Sequence, residues 1–220
     1  AARRHNQTHG TPNAALFEIA NVFLPRPVGE GDLPDEPTRL AMVRGGDYLS
    51  MKGVVEALLR RLHVTDRLEV RPLSRPFFAA GRAAELLLSG RRLGVLGEVS
   101  EEARQALELA DECSVAELDF ELLATRADLV PRYQPLPQYP AVARELSLVV
   151  PQSVTWAELA DATRAAGGPL LQSIDYLDTF RGKSLPPNCQ SVHFGLIFRH
   201  PRRTLTGDEV DAAVHAVVSS

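Results

Sequence analysis

Seven side chains in the second half of the chain carry, or can take up, positive charge where a strand end or loop would display them: Arg144, Arg181, Lys183, His193, Arg199, Arg202 and Arg203. Three of them fall in the stretch FRHPRRTLTGDEV, residues 198–210, where a bulky strand end runs into a well-marked helix start. Thr206 followed three residues later by Glu209 is a capping box, each side chain satisfying a backbone amide that the helix leaves unpaired. Flexible cations at such a corner hold phosphates without reading sequence. The alternative is a solvated edge whose arginines pair with Asp175, Asp178 and Asp208, and residue types alone leave the two readings even.

Covalent catalysis finds no foothold in the sequence. It contains no glycine-rich phosphate loop, no GxSxG elbow and no HExxH pair. His63, His193, His200 and His215 follow no metal-ligand spacing, and the carboxylates of SEEARQALELADE (100–112) read as a solvated helix face. RGGDYLSMKG (44–53) is favoured as a turn that caps the next helix, with Asp47 at its start, over a nucleotide site.

Composition narrows the partners. With 24 Lys and Arg against 28 Asp and Glu, the net charge of −4 gives no global attraction to nucleic acid, so an RNA contact needs a local patch. From residue 136 onward the balance is seven Lys and Arg against eight Asp and Glu. The two cysteines, Cys113 and Cys189, lie far apart and outside any CxxC, which points to reduced thiols rather than a disulfide framework or a zinc site. No apolar run approaches the ~20 residues that span a bilayer, and AARRHNQTHG lacks the apolar core of a secretory signal. A cytoplasmic protein with no membrane and no DNA partner is expected.

The elements that must position the cations follow from periodicity. PRYQPLPQYP (131–140), with Pro131, Pro135, Pro137 and Pro140, suits an extended connector and divides a module over 1–130 from a domain over 141–220. In the first part, LFEIANVFL (16–24) is apolar on both faces and predicts a central buried strand. YLSMKGVVEALLRRLH (48–63) predicts a helix packing Tyr48, Met51, Val55, Leu58, Leu59 and Leu62. RLEVRPL (67–73), a hairpin turning at Gly90, and SVAELDFELL (114–123) add further strands and a short helix, giving an antiparallel α+β sheet.

After the connector, ELSLVVP (145–151), a helix capped by Thr155 and Glu158 and stopped at Gly167 and Gly168, strands over 170–180 and 191–200, and a helix from Thr206 with Val210, Val214, Val217 and Val218 on one face spell β-α-β-β-α. This is a ferredoxin-like unit with its final strand missing. Alternation points Val192, Phe194, Leu196 and Phe198 to the helices, and His193, Gly195, Ile197 and Arg199 to an open face with Glu145, Ser147 and Val149. If Ile174, Tyr176 and Phe180 face inward, Asp175, Leu177, Thr179 and Arg181 join the open face. A sheet of small and polar residues with a basic rim is a platform for unstacked bases.

Three segments, QYPAVARELSLVV, DTFRGKSLP and RRTLTGDEV, in this order and spacing, resemble the ferredoxin-fold anticodon-binding domain of the bacterial phenylalanyl-tRNA synthetase β subunit. LFEIANVFLP, DYLSMKGVVEALLRRL, GRAAELLLSGRRLGVLGEV and ELDFELL resemble the end of that subunit's class II synthetase-like module. The resemblance implies a non-catalytic piece that binds phenylalanine tRNA at the anticodon and supports an α2β2 assembly with the synthetase α subunit. It implies no cofactor in this piece, with ATP and Mg²⁺ serving the whole enzyme. The piece is expected neither to hydrolyse mischarged tRNA nor to bind magnesium, since the family's editing module and magnesium-linked acids would lie upstream. Ala79 and Ala80 stand where the family usually has His-Pro, Glu145 where it has Asp, Phe180 where it has Tyr, and Asn188 where Gly is common. The competing reading is a ferredoxin-like regulatory module for a small molecule such as an amino acid, for which only Gly195 lies near the sheet centre.

Overall fold

A computed structural model describes the chain except for residues 12–13, 27–32, 131–132, 134 and 220. It separates into two compact units, residues 1–132 and 133–220. Of the connector prolines, Pro131 lies outside the described residues.

The first unit runs α1 (Ala2–Thr8), β1 (Leu16–Asn21), β2 (Thr38–Gly45), α2 (Tyr48–Arg61), β3 (Leu68–Pro72), β4 (Phe78–Leu88), β5 (Arg91–Val99), α3 (Glu101–Ala106), β6 (Cys113–Asp119) and α4 (Phe120–Arg126). Its six strands form one antiparallel sheet in the order β1-β2-β6-β5-β4-β3. Asp47 starts α2 by accepting a hydrogen bond from the Ser50 N–H at 2.9 Å. The apolar stripe then buries Met51, Val55 and Leu59 against Leu40, Leu86, Leu96 and Leu118 of the sheet. The β4–β5 turn places Ser89 and Gly90 at φ 46° and 78°, the left-handed pair that matches strand twist in a two-residue hairpin.

The first predicted strand is displaced from its expected place. β1 sits at the sheet edge, not its centre, and Phe17 and Ile19 are 74% and 47% exposed. Apolar residues on both faces indicate surface that something can cover, and they do not say which end of the sheet the strand occupies. The strand inside it is β2, TRLAMVRG, whose arginines hide its alternation; Arg39 donates to Asp119 on β6 at 2.8 Å.

The second unit runs β7 (Val142–Pro151), α5 (Trp156–Gly167), β8 (Leu171–Phe180), β9 (Cys189–Phe198) and α6 (Gly207–Val218). The strands pair antiparallel in the order β7-β9-β8, and both helices start with complete capping boxes, Thr155 with Glu158 and Thr206 with Glu209. Gly168 ends α5 at φ 63°, a backbone region that favours glycine. The core gathers Val192, Phe194, Leu196 and Phe198 from β9 with Leu159, Leu205 and Val210. Val210, Val214 and Val217 of the predicted helix stripe pack inward, whereas Val218 is 53% exposed. No helix among the described residues is long and apolar enough to cross a membrane.

A bulge in β8 redirects its second half. Ile174 pairs with Leu196 and Tyr176 with Phe194, on the core face; after the register shift at Leu177, Asp178 pairs with His193, Thr179 with Val192 and Phe180 with Ser191. One unpaired residue reverses the alternation. Tyr176 stays inward, its ring edge-on to Trp156 at 5.5 Å, but Phe180 turns out and Thr179 turns in, opposite to the uninterrupted phase.

Candidate nucleic-acid interface

Helices α5 and α6 cover one face of the β7-β9-β8 sheet, and β9 shows the division directly. Gln190, Val192, Phe194, Leu196 and Phe198 are buried, while Cys189, Ser191, His193, Gly195 and Ile197 are half-buried on the other face. Because directly opposed residues share a face, the pairing lays out this open face in rows. Val149, Ser191 and Phe180 form one; Ser147, His193 and Asp178 the next; Glu145, Gly195 and Asp175 the third; Ala143, Ile197 and Ser173 the last. Phe180 is 52% exposed and Val149 53%. The tip of the Phe180 ring lies so close to Gly182 that a Cβ there would strike it, so the glycine leaves room for the aromatic beside the turn.

The centre of the face is acidic. The His193 Nε2 lies 3.0 Å from the Glu145 Oε2, and Asp178 and Asp175 line the β8 side. Alternation already sets Glu145 and Asp175 on this face; the register shift adds Asp178 to them and sets Phe180 beside Val149 in an apolar row at one end.

The remaining candidate cations divide by partner. Arg144 lies on the helix side of β7, where its Nη2 donates to Asp211 of α6 at 3.2 Å. The uninterrupted phase points Arg181 outward, but the bulge carries it to the helix side, where it donates twice to the Gln190 Oε1 at 3.0 and 2.7 Å. Arg203 donates from both terminal nitrogens to Glu209. This pairing, with the Thr206 N–H, holds the Glu209 carboxyl down to about 2. The opening corner is thus partly a clamp on the α6 cap.

Lys183, Arg199 and Arg202 have no side-chain hydrogen bond or ion pair among the described residues. Arg199 continues the open face beyond Ile197, and its buried Nε lacks an acceptor. Lys183 and Arg202 are exposed. Lys183 follows β8 at the Phe180 end of the face, and Arg199 and Arg202 follow β9 at the other. Unpaired cations therefore stand at both ends of a face whose middle accepts hydrogen bonds. Among the described residues no three His, Cys, Asp or Glu side chains gather into a metal set.

Residues 1–120 match the family profile described as the phenylalanyl tRNA synthetase beta chain CLM domain, and residues 137–220 match the ferredoxin-fold anticodon binding domain. The chain belongs to the phenylalanyl-tRNA synthetase beta chain family. It is 35% identical over 228 residues to the phenylalanine–tRNA ligase beta subunit of Rhodopirellula baltica, matching 100% of this chain and 34% of that one. The corresponding subunit of Moorella thermoacetica is 38% identical over 212 residues, with 90% and 26% covered. The chain thus spans about a third or less of these relatives' length. Among solved structures, a pyrrolysyl-tRNA synthetase of Desulfitobacterium hafniense covers 56% of this chain and 43% of its own at 15% identity and a TM-score of 0.45, too slight a likeness to build on.

Within this beta-chain frame, the residue that sequence reasoning missed is Phe180. Its expected direction followed from alternation, and the register shift at Leu177 carries no turn residue to announce it. The one available signal was LDTF itself: Asp178 and Thr179 are adjacent polar residues, which an uninterrupted strand buried on one face does not favour.

Proposed function

We propose that the second unit binds the anticodon loop of phenylalanine tRNA on its open sheet face, as part of a phenylalanine–tRNA ligase whose aminoacylation is carried out by the α subunit. The first unit, over residues 1–130, supports the α2β2 assembly, and 131–140 links the two. The observation that carries the RNA reading is the exposed Phe180 ring, in one row with Val149 and Ser191 and followed by Lys183. An unstacked base gains ~1–3 kcal/mol by lying on an aromatic ring.

The acidic centre fits the same reading. Carboxylates repel phosphates, so Glu145, Asp175 and Asp178 keep the RNA backbone towards Lys183, Arg199 and Arg202. As acceptors they suit the amino and imino groups on base edges. His193 sits among them. Arg144, Arg181 and Arg203 act by holding the sheet and the α6 cap in place. ATP and Mg²⁺ are assigned to the rest of the assembly, in the cytoplasm.

The test is binding of the chain to phenylalanine tRNA and to the same tRNA with its anticodon replaced, at two salt concentrations. Preference for the native anticodon at both salts supports the open face as a reader. Equal, strongly salt-dependent affinities reduce the interaction to an electrostatic patch and overturn it.

A further inference from the structure

The first unit carries a site that the tRNA reading does not use. On the sheet face opposite α2, Ala41 and Val43 of β2, Val115 of β6 and Val95 of β5 form the floor of a cleft of about 610 Å³, closed by Phe78 and Cys113. The register explains the shared face, since Val43 pairs with Val115, Phe78 pairs with Val99, and Ala41 and Val95 both pair with Glu117, which therefore joins the floor between them. The α1 helix and the segment after α3 stand over this face, tied by the Arg4–Glu108 ion pair at 2.6 Å.

Arg3 of α1 lines the cleft and is 4% exposed. Its Nη1 donates to the Ala14 carbonyl at 2.7 Å, and its Nε is buried with no acceptor. The other terminal nitrogen lies over β2, where a Cβ on Gly45 would approach it to 3.1 Å, so Gly45 leaves room for the guanidinium. No carboxylate among the described residues pairs with Arg3. A buried cation with one carbonyl for company is costly, because lost hydration is not replaced by a counter-charge. Its charge is felt at the cleft floor, where burial raises the Cys113 thiol and Arg3 opposes that rise.

We infer that this cleft binds a small apolar monocarboxylate, with the hydrocarbon or aryl body on the valine floor and the carboxylate on Arg3. The volume lies within the range of small-molecule sites, and the lining is mostly apolar, with Arg3, Arg75 and Arg92 as cations against the carboxylates of Glu18 and Glu117. A planar guanidinium fork is the matching donor for a carboxylate. The inference rests on the first unit alone and stands or falls separately from anticodon binding.

The probe is 4-phenylbutanoate, compared with its uncharged amide, titrated into the full 220-residue chain while valine and leucine methyl NMR signals are followed. Saturable shifts should be confined to the lining methyls of Leu16, Val43, Val95, Val99, Leu107, Leu109 and Val115. The carboxylate should bind about tenfold or more tightly than the amide, the discrimination expected of a charge-assisted pair with a buried donor. Arg3→Met should remove that preference, and Val115→Phe should abolish both titrations while the far-UV spectrum and melting temperature report an intact fold. Equal binding of acid and amide to the unaltered chain, shifts outside this face, or no shift at millimolar probe would each overturn the assignment without using a variant.

Discussion

Arg181 donates two hydrogen bonds, at 3.0 and 2.7 Å, to the side-chain oxygen of Gln190. Gln190 is 4% exposed, and its amide nitrogen donates in turn to the Val154 carbonyl at 3.0 Å, just before α5. A cation that looked like part of an RNA rim therefore holds the end of β8 to the start of a helix. Arg181→Ala leaves the buried glutamine oxygen without its donor and should destabilise the second unit by roughly 1–3 kcal/mol. Urea unfolding checks this. An unchanged midpoint with weakened tRNA binding would return Arg181 to the RNA surface.

The cations without protein partners should behave differently. Lys183→Ala, Arg199→Ala and Arg202→Ala should leave the urea midpoint nearly unchanged. Each substitution that removes a cation from a phosphate should reduce the slope of log affinity against log salt by about 0.7–0.9. Arg144→Ala and Arg203→Ala should move that slope less, because their charges are committed to Asp211 and Glu209. Filter binding across a salt series separates the two groups.

Acid should loosen the second unit through the caps of its two helices. The Glu209 carboxyl is held at about 2, first by Arg203 and then by the Thr206 N–H. Glu158 is lowered too, by the Thr155 N–H and hydroxyl. For a carboxyl depressed by folding, the stabilisation is complete above its unfolded pKa of about 4.3 and disappears as pH falls through the folded value. Urea midpoints measured from pH 7 down to pH 2 should fall below about pH 4.5, and Glu209→Gln should flatten part of that fall. A midpoint that rises or stays level across this window contradicts the cap assignment.

In the first unit, Gly94 of β5 is pinned by its neighbour strand. A Cβ there would overlap the Glu117 carbonyl oxygen and come within 2.9 Å of the Leu118 Cα, both backbone atoms that cannot swing aside. Gly94→Ala should destabilise this unit by about 1–3 kcal/mol, the usual cost of overpacking. Thermal unfolding reads the loss, and a neutral outcome would mean that β5 and β6 are less closely held than their register indicates.

The parts of the fold that sequence made legible are those with a local physical signature. Capping boxes at Thr155 and Thr206, the Asp47 cap, the Gly90 turn and the α2 stripe each announce themselves within a few residues, and each stands where expected. What escaped depends on distant partners. Edge or centre for β1 is decided by which strands arrive beside it, and the direction of Phe180 by one register shift against β9. The candidate site inherited that error, since Arg181 and Phe180 exchange faces when the alternation reverses. Charge count is likewise blind to partners. Arg144, Arg181 and Arg203 are basic residues at the expected corner, and only the three-dimensional neighbours Asp211, Gln190 and Glu209 reveal which of their N–H groups are already engaged.

The most direct test of the account is to titrate an anticodon stem-loop of phenylalanine tRNA into isotope-labelled protein and follow the Phe180 ring and the backbone amides of Val149, Ser191 and His193. Large, saturable shifts are expected at these open-face positions, small ones on α5 and α6, and weaker binding by Phe180→Ala with the second unit still folded. Shifts concentrated on α5 and α6, with Phe180→Ala binding as tightly as the unaltered chain, would contradict it.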